Sequence, residues 1–316
     1  MIRGEEIAPT VEDGSLKEVG LMMREGKLKS AYGPYRARDF FKVPMNREDG
    51  PIWTFERYGA TRNELPDGRI ICIGGEHEDS YDPDFCIYND VVVIGPEDEI
   101  EIYGYPKDVF PPTDFHTATL AAGKIVIVGC LGNAGERRPG VTPVYSVDTN
   151  SSEICEFITS GTVPGWIFGH TAELSADGLL LIRGGQFVEL RDGKQRFKRN
   201  NEEFSLNPAT GVWTQITNRN WPQWSIRQKD SGLFILDNAV RLHDLIPEGL
   251  ESVPVAKADH REARFLLEGV PIRVIAGVKW IEIVAEGELP EQICGKVPEV
   301  FRSRIEALCK KECIVE

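Results

Sequence analysis

Long hydrophobic runs are missing from this 316-residue sequence. Nothing approaches the roughly 18 consecutive apolar residues that a membrane-spanning helix needs. The opening Met1-Ile2-Arg3-Gly4-Glu5-Glu6 has no apolar stretch after its positive charge, as a secretory leader would. The expectation is a soluble protein kept in the cytoplasm. Positive charge is scarce as well: 36 Lys and Arg stand against 50 Asp and Glu, a net charge of −14. Such a surface repels nucleic-acid backbones and anionic membranes, so neither is an expected partner, whereas a basic protein is attracted. Cysteine is sparse and unpatterned. The seven residues Cys72, Cys86, Cys130, Cys155, Cys294, Cys309 and Cys313 are odd in number and have no compact spacing, which points to reduced thiols. Cys309 and Cys313 share a helix face but lack the second ligand pair that zinc requires. Enzyme signatures are absent too: there is no G-x-S-x-G elbow, no Walker A loop and no H-E-x-x-H pair. What remains is 41% hydrophobic residues, enough for one or more cores.

A repeat organises the middle of the chain. Three segments run in one order: a polar turn with glycine, four apolar strand residues, then a pair of small residues. They are Asp67-Gly68-Arg69-Ile70-Ile71-Cys72-Ile73-Gly74-Gly75, Gly123-Lys124-Ile125-Val126-Ile127-Val128-Gly129-Cys130 and Asp177-Gly178-Leu179-Leu180-Leu181-Ile182-Arg183-Gly184-Gly185. The leading glycines 68, 123 and 178 are 55 residues apart twice over, and the closing glycines 74, 129 and 184 repeat that interval. Each unit continues with a long polar insertion, a strand, a turn and a last strand. In the first unit these are Val91-Val92-Val93-Ile94, the turn Gly95-Pro96-Glu97-Asp98, and Ile100-Glu101-Ile102-Tyr103. Apolar runs flanked by Gly, Pro, Asn and Asp are hairpin signals, and four strands joined as a meander make one propeller blade.

These units resemble the kelch repeat. Gly74-Gly75 and Gly184-Gly185 match its Gly-Gly doublet, Gly129-Cys130 keeps the first glycine, Asn89-Asp90 matches the start of its third strand, and Trp213 stands where the family places an aromatic. His116 and His170 open two units as the family's first strand often does, and a structural role at a strand start is expected for both. The resemblance covers about residues 53–236. It implies an all-β fold, a kelch-like β-propeller of about five four-stranded blades in the range four to six. A degraded fourth unit is expected at Trp224-Ser225-Ile226-Arg227 and Gly232-Leu233-Phe234-Ile235-Leu236, and a further sheet from Arg264-Phe265-Leu266-Leu267, Ile272-Arg273-Val274-Ile275 and Lys279-Trp280-Ile281-Glu282-Ile283-Val284. Ile52-Trp53-Thr54-Phe55 is positioned to complete the last blade and close the ring.

The expected organisation is an irregular segment over 1–50, a propeller over 51–290 and a C-terminal amphipathic helix within 291–316 packed on it. A hairpin around Glu25-Gly26 is a reading for the first segment. In the last, Pro298 suits a first helical turn, Val297, Phe301, Ile305 and Leu308 fall on one face, and Lys310 and Lys311 favour the negative end of the dipole.

In a meander the loops between second and third strands emerge on one face, and here they are long: 76–88, 131–143 and 186–200. The first is acidic and aromatic, with Glu76, His77, Glu78, Asp79, Tyr81, Asp82, Asp84, Phe85 and Tyr88. The second brings Arg137 and Arg138, and the third is basic, with Arg191, Lys194, Arg196, Lys198 and Arg199. Loops on a rigid scaffold are the usual place for recognition, so these residues form the candidate binding site. The acidic loop has oxygen and imidazole ligand types but neither a calcium-loop nor a zinc spacing, so no metal and no cofactor is expected. Tyr, Phe and Arg are favoured at protein interfaces. The expected function is therefore a non-catalytic binding module for a protein partner of basic charge, as an immunity or inhibitor protein would be. The alternative is an epimerase- or lyase-like enzyme acting on a small sugar-type ligand at the channel mouth. Copper-radical oxidases of similar fold have a Cys–Tyr site with no counterpart here, but kelch-like sugar epimerases and iron-dependent specifier proteins show that the scaffold supports catalysis, and Glu76, Arg137 and His77 form a candidate acid-base set.

Overall fold

The computed structural model describes residues 2–3, 5–6, 57–77, 86–219, 221–230, 241–247, 249–254, 261–277 and 279–316. It divides into two compact units, Met1–Asn218 and Arg219–Glu316. That division falls inside the 51–290 span expected as one propeller. Both units are built mainly of β-strands, and among the described residues no helix is long and apolar enough to cross a membrane. The expected strand Ile52–Phe55, the hairpin around Gly26 and the run Gly232–Leu236 lie outside the described residues.

The first unit opens with β1 (Ile2–Arg3) and β2 (Glu5–Glu6), then holds three four-stranded antiparallel meanders. The first comprises β3 (Thr61–Glu64), β4 (Ile70–Ile73), β7 (Asp90–Ile94) and β8 (Ile100–Gly104), with the small hairpin β5 (Glu76–His77) and β6 (Cys86–Ile87) inserted after β4. The second is β9 (Thr117–Ala121), β10 (Lys124–Val128), β11 (Val144–Asp148) and β12 (Glu153–Glu156). Ahead of the third come β13 (Ser160–Gly161) and β14 (Trp166–Phe168). The meander itself is β15 (Thr171–Leu174), β16 (Leu180–Arg183), β19 (Glu203–Leu206) and β20 (Val212–Gln215), with the hairpin β17 (Gln186–Arg191) and β18 (Lys194–Arg199) inserted after β16. The strands expected in the three 55-residue units are present: Ile70 pairs with Ile94, Lys124 with Asp148 and Leu180 with Leu206.

Period-two burial explains why the second strands are apolar throughout. In β10, Ile125 and Ile127 join Ile71, Ile73, Val91 and Val93 of the first meander, while Val126 and Val128 join Ile182, Phe204, Leu206 and Trp213 of the third. A sheet covered on both faces needs apolar residues at every position. The first strands stand side by side, β9 between β3 and β15. Each meander also gains a fifth strand on its outer edge: β2 on β8, β1 on β12 and, in parallel, β13 on β20.

The closing glycines and the two histidines lock neighbouring meanders together. Gly74 and Gly129 have φ of +55° and +71°, and a Cβ at either would sit 2.2 Å from a carbonyl oxygen of the next unit, Thr113 and Ile167 respectively. His116 Nε2 shares a 2.8 Å hydrogen bond with Thr61 Oγ1, and His170 Nε2 a 2.9 Å bond with Thr117 Oγ1. Both rings are buried, and burial pulls their pKa down to about 3 and about 4, so both are neutral.

The second unit contains β21 (Gln223–Gln228), a 3-10 turn over Leu242–Leu245, β22 (Glu262–Leu267), β23 (Val270–Ala276), β24 (Trp280–Ala285), the short α1 (Glu291–Cys294), α2 (Val297–Cys309) and β25 (Cys313–Val315). Its sheet runs β22-β23-β24-β21-β25. The strand expected in a fourth repeat, β21, thus pairs with β24 and β25. Helix α2 lies on this sheet, with Phe301 stacked on Phe265 at 5.7 Å between ring centroids. Its inward face is Val297, Phe301, Ile305 and Cys309, whereas Leu308, expected there, is 40% exposed. A repeat of four residues carried three times ends on Cys309, and Leu308 is rotated out of that stripe.

Candidate functional site

One end of the first unit gathers residues from all three meanders. In each, the segment before the first strand meets the residues after the closing glycines: Tyr58 and Glu76 exchange backbone hydrogen bonds, Leu131 N–H donates to Asp114 O, and β14 pairs with β17. Glu76, Asp114 and Arg137 meet here. Asp114 is fully buried, and its Oδ1 accepts the Gly132 N–H at 2.6 Å. Oδ2 meets no N–H or O–H donor among the described residues. The Glu76 side chain, itself buried, lies beside the Asp114 carboxyl. Two carboxyls buried side by side each disfavour ionisation of the other. Burial pushes the Asp114 pKa up, against the Gly132 N–H, the Glu76 contact and the nearby Arg137 charge.

Arg137, near enough for its charge to act on Asp114, is held by its own loop. Its Nε donates to Leu131 O at 2.8 Å and its Nη2 to Gly132 O at 2.8 Å, and the guanidinium lies 5.1 Å from the centre of the Phe197 ring. Phe197 also meets Phe168 edge to face at 5.1 Å, and Gln195 donates to Ala134 O at 2.9 Å. The hairpin of the third meander thereby leans on the loop of the second. Beside Asp114, burial pushes the Cys130 thiol up, which keeps it from being a thiolate nucleophile. Phe115, next in sequence to Asp114, has φ of 47°. Its counterparts Gly59 and Gly169 also have positive φ, at 65° and 60°. A bulky aromatic in that region is strained, and such strain concentrates where the surrounding structure holds a functional geometry.

Of the residues expected at the site, Glu76 and Arg137 come together around Asp114. His77 falls in β5, and Glu78, Asp79, Tyr81, Asp82, Asp84 and Phe85 lie outside the described residues. Tyr88 is buried rather than displayed, its ring centre 3.7 Å from the guanidinium of Arg57, which pairs bidentately with the buried Asp90. Arg138 is exposed. The stretch 186–200, expected as a loop, is the hairpin β17–β18 around Asp192-Gly193. Arg191 and Arg196 share one face with Lys194 and Lys198. Asp114 and Phe197 escaped sequence reasoning. For Asp114 a signal existed: the equivalent repeat positions are Tyr58 and Phe168, so a carboxylate replaces an aromatic. Among the described residues no cluster of three or more His, Cys, Asp or Glu is placed to hold a metal ion.

No protein-family model matches the chain, and no curated protein matches it. Among solved structures it is similar to that of YjhT, with 12% sequence identity and a TM-score of 0.35 over 71% of this chain and 64% of that one. The chain thus spans less than two thirds of that structure's length. A similarity of this size carries no argument for fold or function.

Proposed function

We propose that the chain is a kelch-type propeller of about five blades, in the range four to six, that works in the cytoplasm by binding another protein through the end carrying β5–β6, the Arg137 loop and β17–β18. The propeller is supported by the exact 55-residue spacing of the glycines, the neighbouring first strands and the Thr–His contacts between successive meanders. Free thiols support a reducing compartment. One observation carries the binding reading: β17–β18 displays Leu190, 60% exposed, and Phe197, 39% exposed, on one face with Phe197 beside Arg137, and a row of cations on the other. Exposed aromatic and aliphatic groups rimmed by Arg on a rigid support are what interface hot spots are made of. The net charge of −14 favours a partner that is basic as a whole.

The test is affinity capture of the tagged chain from its own cell extract at low and high salt, beside the double substitution Leu190→Ser and Phe197→Ser. A stoichiometric protein, lost with the substitutions and weakened by salt, is the expected result. Return of the chain alone under both conditions overturns it.

A second reading has its own support in the buried carboxyls of Glu76 and Asp114 beside Arg137. A buried carboxyl pair of this kind can give and take a proton from a small polar ligand whose anionic group Arg137 holds. A thermal-shift screen of small hydroxylated carboxylates tests it: a hit that Arg137→Ala abolishes supports this reading, and an empty screen removes it.

A further inference from the structure

The molecule is acidic, yet the six residues of β18 include Lys194, Arg196, Lys198 and Arg199. Strand β18 is an edge: in the order β14-β17-β18 it pairs with β17 and with no other strand among the described residues. The turn fixes which backbone groups face that edge. Asp192 and Gly193 have φ of 50° and 73°, the two positive values of a two-residue type I′ hairpin. In such a hairpin the flanking pair, Arg191 and Lys194, is hydrogen-bonded, and bonded pairs then alternate along the ladder. Gln195 and Phe197 therefore turn their N–H and C=O groups away from β17.

The two faces of the hairpin differ. One carries Val188, Leu190 and Phe197, and the other carries Arg191, Lys194, Arg196 and Lys198, with Glu189 opposite Arg196. Lysines on an edge repel a second copy of the same edge. The same charges attract a strand that carries carboxylates on alternate residues.

We propose that β18 is a docking edge for an extended, acidic segment of a partner protein, which adds as a further strand of the β14-β17-β18 sheet. Its backbone bonds Gln195 and Phe197, its acidic side chains face Lys194 and Lys198, and its intervening apolar side chains lie beside Phe197 and Leu190. Strand addition of this kind draws affinity from the main chain and specificity from alternate side chains. The inference rests on the protein-binding reading above and assigns the local sign of the contact, which is opposite to that expected from net charge.

The experiment uses the full chain and a synthetic peptide of alternating Glu and Val long enough to span β18, with a Lys and Val peptide as the comparison. Calorimetry reads affinity, and amide hydrogen exchange reads Gln195 and Phe197. The Glu and Val peptide is expected to bind and to slow exchange at both amides. The substitution Gln195→Pro removes an outward donor and the side-chain bond to Ala134 O while leaving the β17 bonds of Lys194 and Arg196 in place, and should weaken binding about tenfold, whereas Gln195→Ala, which removes the side-chain bond alone, should not. The double substitution Lys194→Glu and Lys198→Glu keeps the backbone edge and should reverse the preference to the Lys and Val peptide. Absence of binding to either peptide, equal binding of both, or binding without protection of the two amides overturns the proposal. If a partner captured from extract by the wild-type chain is retained equally by the Lys194→Glu, Lys198→Glu form and by Gln195→Pro, the binding module stands and the β18 edge falls.

Discussion

A single methyl group distinguishes glycine from alanine at position 129, and the meander packing gives it no room. Gly129→Ala would place Cβ 2.2 Å from Ile167 O and 2.9 Å from His170 Cε1 in a left-handed backbone. Gly123→Ala, at φ of +77° with nothing within 4 Å, meets only the backbone cost of about 1 kcal/mol. Urea denaturation is expected to rank them, with Gly129→Ala losing at least ~3 kcal/mol. Protons act at this scale too. His116 and His170 are held neutral, so the unfolded chain binds more protons once pH falls below about 6.5. Their contribution to stability is full above that value and is lost as pH falls toward about 4 and about 3. Asp114 has the opposite sign. Its raised pKa contributes at pH below the ordinary carboxylate range and turns unfavourable as pH rises and the buried carboxyl ionises. Asp114→Asn keeps an acceptor for Gly132 and offers Glu76 a donor, so its urea midpoint at pH 7 should equal or exceed that of the wild type. A clear loss of midpoint would mean that burying the Asp114 carboxyl costs nothing that asparagine relieves. Sequence showed Glu76 and Arg137 as residue types on long insertions, but not Asp114, because the stretch before β9 has no periodicity to say which way its side chains point.

Elements were legible where local chemistry repeats. The turn glycines and the β-branched runs around Val91–Ile94 and Lys124–Val128 define their strands without reference to the rest of the chain. The hairpin at 186–200 was hidden by its charge: five basic residues suggested a solvated loop, although Val188, Leu190 and Phe197 alternate and Asp192-Gly193 is the strongest short hairpin turn. Gly193→Val tests that turn, since a β-branched residue at φ of 73° is strained. Amide exchange in β17 and β18 should rise toward the unfolded rate while the thermal midpoint of the unit barely moves. A large loss of global stability would mean that the hairpin supports the meanders. The pairings of β1, β2 and β21 were beyond reading, because two-residue strands carry no pattern and β21 finds β24 and β25 across long separations in sequence.

At the scale of the molecule, the first unit is held by nearest-neighbour contacts between meanders, and its outer edges are guarded by strands borrowed from elsewhere. Removal of residues 1–6 would uncover β8 and β12, whose outer backbone groups now pair with Glu5 and Glu6 and with Ile2 and Arg3. Light scattering of the shortened chain should show association that grows with concentration, as exposed strand edges recruit one another. Unchanged monomer would mean that these short strands guard nothing.

The same borrowed strands impose an order on the ribosome. Residues 2–6 leave the exit tunnel before any of the backbone they pair with, and Ile154, the partner of Ile2, follows some 150 residues later. At about 5–20 residues per second, β1 waits many seconds for its partner strand. The first meander can be sealed by β2 once translation has passed β8, but the second stays open until translation has passed β12, and a pause between those points leaves the β12 side unfinished and open to chaperones.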